Sequence, residues 1–286
     1  MAETSSDKIT NPARKLFFGL FVFPLIIAVG MAVLLCGVVL LTAEKETPET
    51  LIGAIKSGSP SKRWEKAFEL SNDLSQNRPD VVRDARLQEE IIYILGDGRD
   101  YDPKTRSYMA MALSHFPGPR SVSALRTTLK ENSDEVRTSV LWALGAMGAG
   151  EASGDIEAFL TSDEPELRKV SVYVLGAIGK KGEAPKLRPL LNDSNEDVRW
   201  NAALALARLG DSSGYPVLVQ MTDRAHFSAL NMDESQTEPV MLNAIRGLAL
   251  IQKPESIKIF KSLAQNDKNM KVRQAAIEAM HYQEKR

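Results

Sequence analysis

Two apolar patterns follow one another along this chain. From Leu16 to Ala43 no charged residue interrupts the sequence, and a run of that length predicts a helix of the ~20 residues that cross a bilayer. From about Glu49 onward the apolar residues instead recur three and four apart, which is one face of a helix. The phase is clearest at Arg106, Arg137, Arg168 and Arg199, each 31 residues after the last. Before the last three stand Leu125 and Leu129, Ile156 and Leu160, and Leu187 and Leu191, an i, i+4 pair on a first helix. After Arg137 the stripe continues through Val140, Leu144 and Met147, having begun at Val136, on a second helix. Each unit therefore predicts two helices, and the chain an all-α repeat architecture.

Turn chemistry agrees with that division. Glu131-Asn-Ser-Asp134, Thr161-Ser-Asp-Glu-Pro165 and Asn192-Asp-Ser-Asn195 separate the helices, and short side-chain oxygens there can accept from the free N–H groups of a helix start. Pro165 suits a first turn. Gly148, Gly179 and Gly210 close the second helices where a left-handed residue is favoured.

The pattern Asp/Glu-Val-Arg-x-x-Ala-Ala-x-x-Leu-Gly, seen at Glu196 to Gly210 and in variant form at Asp134 to Gly148 and Glu166 to Gly179, resembles HEAT repeats, in particular the short bacterial kind named after phycobilisome lyase subunits. The resemblance spans residues 49 to 286. It implies an α-solenoid, in which an end unit without a neighbour is atypical. It also implies that the arginine opening each second helix packs along the next unit and bonds turn carboxylates such as Asp134, Asp163 or Asp193. The alternative for these arginines is an aligned track for an acidic partner.

Second helices at Arg63, Arg106, Arg137, Arg168, Arg199, Met241 and Arg273 make seven units. Two intervals are long: extra residues fall around 75–86 and 96–102, and again at 222–238. The organisation is thus a polar tail at 1–15, a transmembrane helix at 16–43, a linker at 44–48, and a HEAT-like domain at 49–286 with a loop insertion at 222–238. Loops on rigid scaffolds carry recognition, so Arg224, His226 and Phe227 in that insertion are candidate partner contacts, against the plainer reading of a mobile insertion. Trp142, Tyr173 and Trp200 are candidate aromatic anchors in a groove of second helices, against inter-repeat packing. Trp142 and Tyr173 share a phase; Trp200 lies four positions out of it.

Charge adds direction. The net charge is −1 over 286 residues, and without a basic block nucleic acid is not an expected partner. Arg14 and Lys15 abut the apolar run on one side and Glu44-Lys-Glu on the other. Basic flanks favour the cytoplasm, which puts the N-terminus inside and the repeats outside, in the periplasm of a double-membraned bacterium. A cleaved signal peptide is the alternative, but its apolar region is shorter. Cys36, the sole cysteine, follows Leu35, which is large for a lipoprotein site.

Catalytic chemistry has no visible carrier. His115, His226 and His281 stand in different units and no His-Glu pair occurs, whereas the HEAT-like deoxyhypusine hydroxylases bind iron through such pairs. Asp97-Gly-Arg-Asp-Tyr-Asp102 lacks the order of a calcium loop. The expectation is a membrane-anchored, non-catalytic scaffold for a protein partner, without cofactor or metal. Its alternative is an accessory subunit of an enzyme complex or a chromophore-lyase-like protein.

Overall fold

The computed structural model describes residues 18–42, 46–76 and 84–284, and divides into two compact units, Met1–Thr47 and Pro48–Arg286. In the first, helix α1 (Phe23–Thr42) follows a π-helical turn, Phe18–Val22. Pro24 stands at the junction. Lacking an N–H, it cannot carry the hydrogen-bond ladder through, and the change of helical type falls there. The span Gly19–Val38 is long and apolar enough to cross a membrane, and none of it is buried. Residues 16, 17 and 43 of the expected segment lie outside the described residues.

The second unit is built from helix pairs and, among the described residues, contains no strand. The first helices (A) are α2 (Pro48–Ser57), α4 (Ala85–Gly96) and α6 (Pro119–Thr128). They continue with α8 (Ser153–Glu157), α10 (Ala184–Leu187), α12 (Tyr215–Gln220) with α13 (Arg224–Ala229), and α15 (Ser256–Asn266). The second helices (B) are α3 (Pro60–Ser75), α5 (Pro103–Leu113), α7 (Asp134–Ala146), α9 (Pro165–Ile178), α11 (Glu196–Arg208), α14 (Glu234–Ile251) and α16 (Met270–Glu284). Each B helix packs on the next in chain order. Pro48 is a buried first residue of α2 rather than the end of a linker. Of the expected loop at 75–86, residues 77–83 lie outside the described residues.

Local chemistry sets the helix ends. Ser133 and Asn195 accept from the backbone N–H groups of Val136 and Val198, Asp84 and Asp102 do the same for α4 and α5, and Pro165 opens α9. Gly148, Gly179 and Gly210 have φ of 61°, 79° and 78°, so the left-handed closure is present in three successive units.

Two expectations change. The A helices of the fourth and fifth units are short and tighten into 3-10 turns, Ala158–Thr161 and Arg188–Asn192. With three residues per turn, Leu190 rather than Leu191 is the buried partner of Leu187. The 222–238 segment is also mostly helical. Asp223 caps α13, and Asp233 with Gln236 forms a reciprocal capping box that starts α14.

The core runs as two clusters, Leu51 to Leu209 and Trp200 to Ala279, and both draw on α11. Between units the B helices approach closely where a side chain is missing. A Cβ at Gly176 would sit 2.5 Å from the Ala205 Cβ, and one at Gly145 2.9 Å from a Val174 methyl.

Candidate functional site

The repeat arginines have a common fate. Four of the six donate to carbonyls of the turn just before their own helix: Arg63 to Gly58 (2.8 Å), Arg168 to Ser162 (2.7 Å), Arg199 to Asp193 (2.8 Å) and Arg273 to Asp267 (2.7 Å). Several also reach forward into the next unit's turn. Arg168 grips the Asp193 carboxylate with two bonds of 2.7 and 2.8 Å, and buried Arg106 binds Glu131 and the Leu95 carbonyl. Arg137 pairs with Asp134 at 3.0 Å and lies against the Phe159 ring. The arginines tie turn to helix and unit to unit. Their guanidinium groups are engaged by the fold, so they form no free charged track.

Met241 interrupts that series and is fully buried. Its missing function returns from elsewhere. Arg224, on α13, grips Asp267 in the following turn with two bonds of 2.7 Å and also binds Glu234 at 2.9 Å, the same grip that Arg168 has on Asp193. His226 reaches the other way, with Nε2 2.7 Å from Glu196 at the start of α11. Phe227 is buried, its ring centroid 5.9 Å from that of buried Trp200. The insertion therefore joins units five, six and seven. Trp200 and Phe227 are core, and Arg224 and His226 are tied down, so these four expected partner contacts are occupied within the fold.

The electrostatics follow these contacts. The Arg168 guanidinium holds the Asp193 carboxyl below the usual carboxylate range. Arg224, with Asn269 and Lys268, takes Glu234 down to about 2. In the 96–102 loop the backbone N–H groups of Asp100 and Arg99 lower Asp97, and burial lowers the His115 imidazole. Among the described residues no group of three His, Cys, Asp or Glu side chains is placed to hold a metal.

Trp142 and Tyr173 are brought together. Their centroids are 4.9 Å apart across α7 and α9, and Trp142 remains 37% exposed. Beside them lies a recess of about 260 Å³ lined by Trp142, Lys169, Val170, Tyr173, Asp197 and Asn201. The Arg208 guanidinium, from α11, sits 5.2 Å from the Tyr173 centroid. One pair of units earlier, Phe68 and Tyr108 pack edge to face at 5.4 Å, with Phe68 51% exposed. Phe68, Tyr108 and Arg208 were not among the expected site residues. Phe68 had a signal: like Trp142 and Tyr173, it stands five residues after its repeat arginine. On the A-helix side charges pair across units, Lys56 with Glu90, Arg120 with Glu89, Arg126 with Asp155, Lys186 with Glu157 and Arg188 with Asp211, and Tyr93, 54% exposed, borders a second recess with Ile92, Asp97, Arg99 and Glu131.

Comparison with known proteins bears on the fold. The profile described as HEAT repeats matches residues 89–158 and 155–230. No curated protein matches the chain. Among solved structures, the complex of CpcE and CpcF of phycocyanin lyase from Nostoc sp. PCC7120 superposes with a TM-score of 0.58 at 19% identity, covering 84% of this chain and 88% of that one. An engineered protein gives 0.49 at 20% identity, over 83% and 68% of the two chains. Human deoxyhypusine hydroxylase in complex with glycerol gives 0.36 at 17%, over 84% and 85%. At 19% identity the likeness to the first of these is one of fold alone. Residues 89–230 match HEAT repeats, and the chain from Pro48 onward is a HEAT/armadillo-like α-solenoid.

Proposed function

We propose that this chain is a membrane-tethered, non-catalytic scaffold that holds a protein partner against the B-helix face around Trp142 and Tyr173. The observation that carries the reading is the Trp142–Tyr173 pair, two rings from neighbouring B helices that meet with centroids 4.9 Å apart at the edge of a recess, Trp142 being 37% exposed. Half-exposed aromatics in a shallow groove are the usual anchors of protein recognition. The tether in this reading is α1, and the basic pair Arg14 and Lys15 before it favours a cytoplasmic N-terminus with the repeats outside.

A photocrosslinking residue at position 142 of the full chain, in its own membrane, is expected to trap a defined protein, and Tyr173→Ala should abolish the product. The same probe at exposed Lys258 on α15 should not trap it. Equal products from both positions, or none from 142, would overturn the reading. Protease added to sealed cells should remove the repeats and spare them only if the orientation is reversed. The accessory-subunit alternative is supported by the fold likeness to phycocyanin lyase; it requires a pigment or catalytic chain to co-purify.

A further inference from the structure

We infer that the segment taken by this face is proline-rich, in the polyproline II conformation, and ends in an acidic residue that meets Arg208; this rests on the partner-binding reading above. The first observation is spacing. Phe68, Trp142 and Tyr173 occupy one phase on successive or near-successive B helices, and Tyr108 packs beside Phe68 in the unit between. Packed helix axes lie about 8–10 Å apart. A polyproline II chain has three residues per turn and rises about 3.1 Å per residue, so the same face returns every ~9 Å. The rings stand in two close pairs, with centroids 5.4 and 4.9 Å apart, and the pairs are two B-helix steps from one another, so a polyproline II face that returns after two turns, about six residues, can meet one pair and then the other.

The second observation is hydrogen bonding. A polyproline segment carries outward carbonyls with no partner and few N–H groups. Against it this wall offers donors: the Trp142 indole N–H and the Tyr173 hydroxyl bind no protein acceptor among the described residues, and the Asn201 amide has an N–H beyond the one given to the Asp197 carbonyl. A β-strand would need backbone donors and acceptors in alternation, and those of a helical wall are already paired. The third observation is charge. Arg208 is exposed, stacks on Tyr173, and has no carboxylate within 4.0 Å among the described residues. It closes the aromatic row with an unpaired cation, which an acidic residue complements.

The test uses the full chain in detergent and a fluorescent peptide of nine prolines followed by two glutamates, read by anisotropy, with the glutamates also placed first. Saturable binding is expected for one of the two orders. Trp142→Ala should weaken it about tenfold or more, a loss of ~1.4 kcal/mol, while Trp142→Phe retains most of it and both variants keep the helical circular dichroism of the parent. Arg208→Ala should weaken the glutamate peptide several-fold and leave a glutamine-ended one unchanged. Replacing alternate prolines by glycine removes the preorganised helix and should weaken binding about tenfold. Equal binding of the glycine peptide, tighter binding of an amphipathic helical peptide, or indifference to Trp142→Ala would each overturn the inference. Absence of any peptide binding overturns it as well; if the crosslink from position 142 persists, the scaffold reading stands and only the ligand class falls.

Discussion

At the scale of single residues, the arginine grips divide by burial. Arg168 and Asp193 are nearly enclosed, with side chains 12% and 8% exposed. Removing one partner strands the other charge out of water, so Arg168→Ala is expected to cost about 3 kcal/mol or more. Arg137→Ala, whose partner Asp134 is half exposed, should cost under about 1 kcal/mol. Thermal melts of the two variants followed by circular dichroism check the ordering. Acid reports on the same contacts. Glu234 is lowered from 4.5 to about 2, so the stability it contributes is complete above its unfolded value and is lost as pH falls through 2. The difference in melting temperature between parent and Glu234→Gln should therefore be constant near neutrality and shrink as the pH is taken from 5 to 2. A difference that grows on acidification would contradict the pairing with Arg224.

At the scale of elements, small residues decide how near the B helices come. Gly176→Ala would drive a methyl into Ala205, and the overpacking, about 1–3 kcal/mol, outweighs the gain of roughly 1 kcal/mol from alanine's helix propensity. Gly53, inside α2 with nothing near its missing Cβ, should behave oppositely, Gly53→Ala stabilising by about 0.5–1 kcal/mol. Chemical denaturation of both reads the opposite signs. The helix pairs were legible in sequence because arginine, stripe and glycine repeat together. Where one signal is weak the reading fails for a physical reason: the A helix near Leu187 is too short to hold an α period and tightens to a 3-10 turn, so Leu190 is buried in place of Leu191, whereas Ile156 and Leu160 are both buried as expected. The insertion was misread as a loop although Asp223 and Asp233-Glu-Ser-Gln236 are helix starts. The site was half legible. The shared phase of Trp142 and Tyr173 signalled their contact, whereas the burial of Trp200 and Phe227 depends on tertiary packing that no local pattern encodes.

At the scale of the whole repeat array, stability is a sum over neighbours rather than a property of one core. The two apolar clusters meet at α11, which gives buried residues to both, and at Leu191 just before it. Phe260 is fully buried in the second, and Phe260→Ala should open units six and seven while units two to four keep their protection. Hydrogen exchange resolved along the chain would report this directly, and uniform loss of protection throughout would refute the division.

The guanidinium that serves Asp267 reaches it from α13 instead of from the helix where the pattern calls for it. What the architecture conserves at that joint is a positive fork at a point in space, not an address on the polypeptide. Length can thus vary between α12 and α14 without severing the array, provided that whatever is spliced in still delivers a cation to the same carboxylate. A shortening that dropped Arg224 would amount to cutting a rivet.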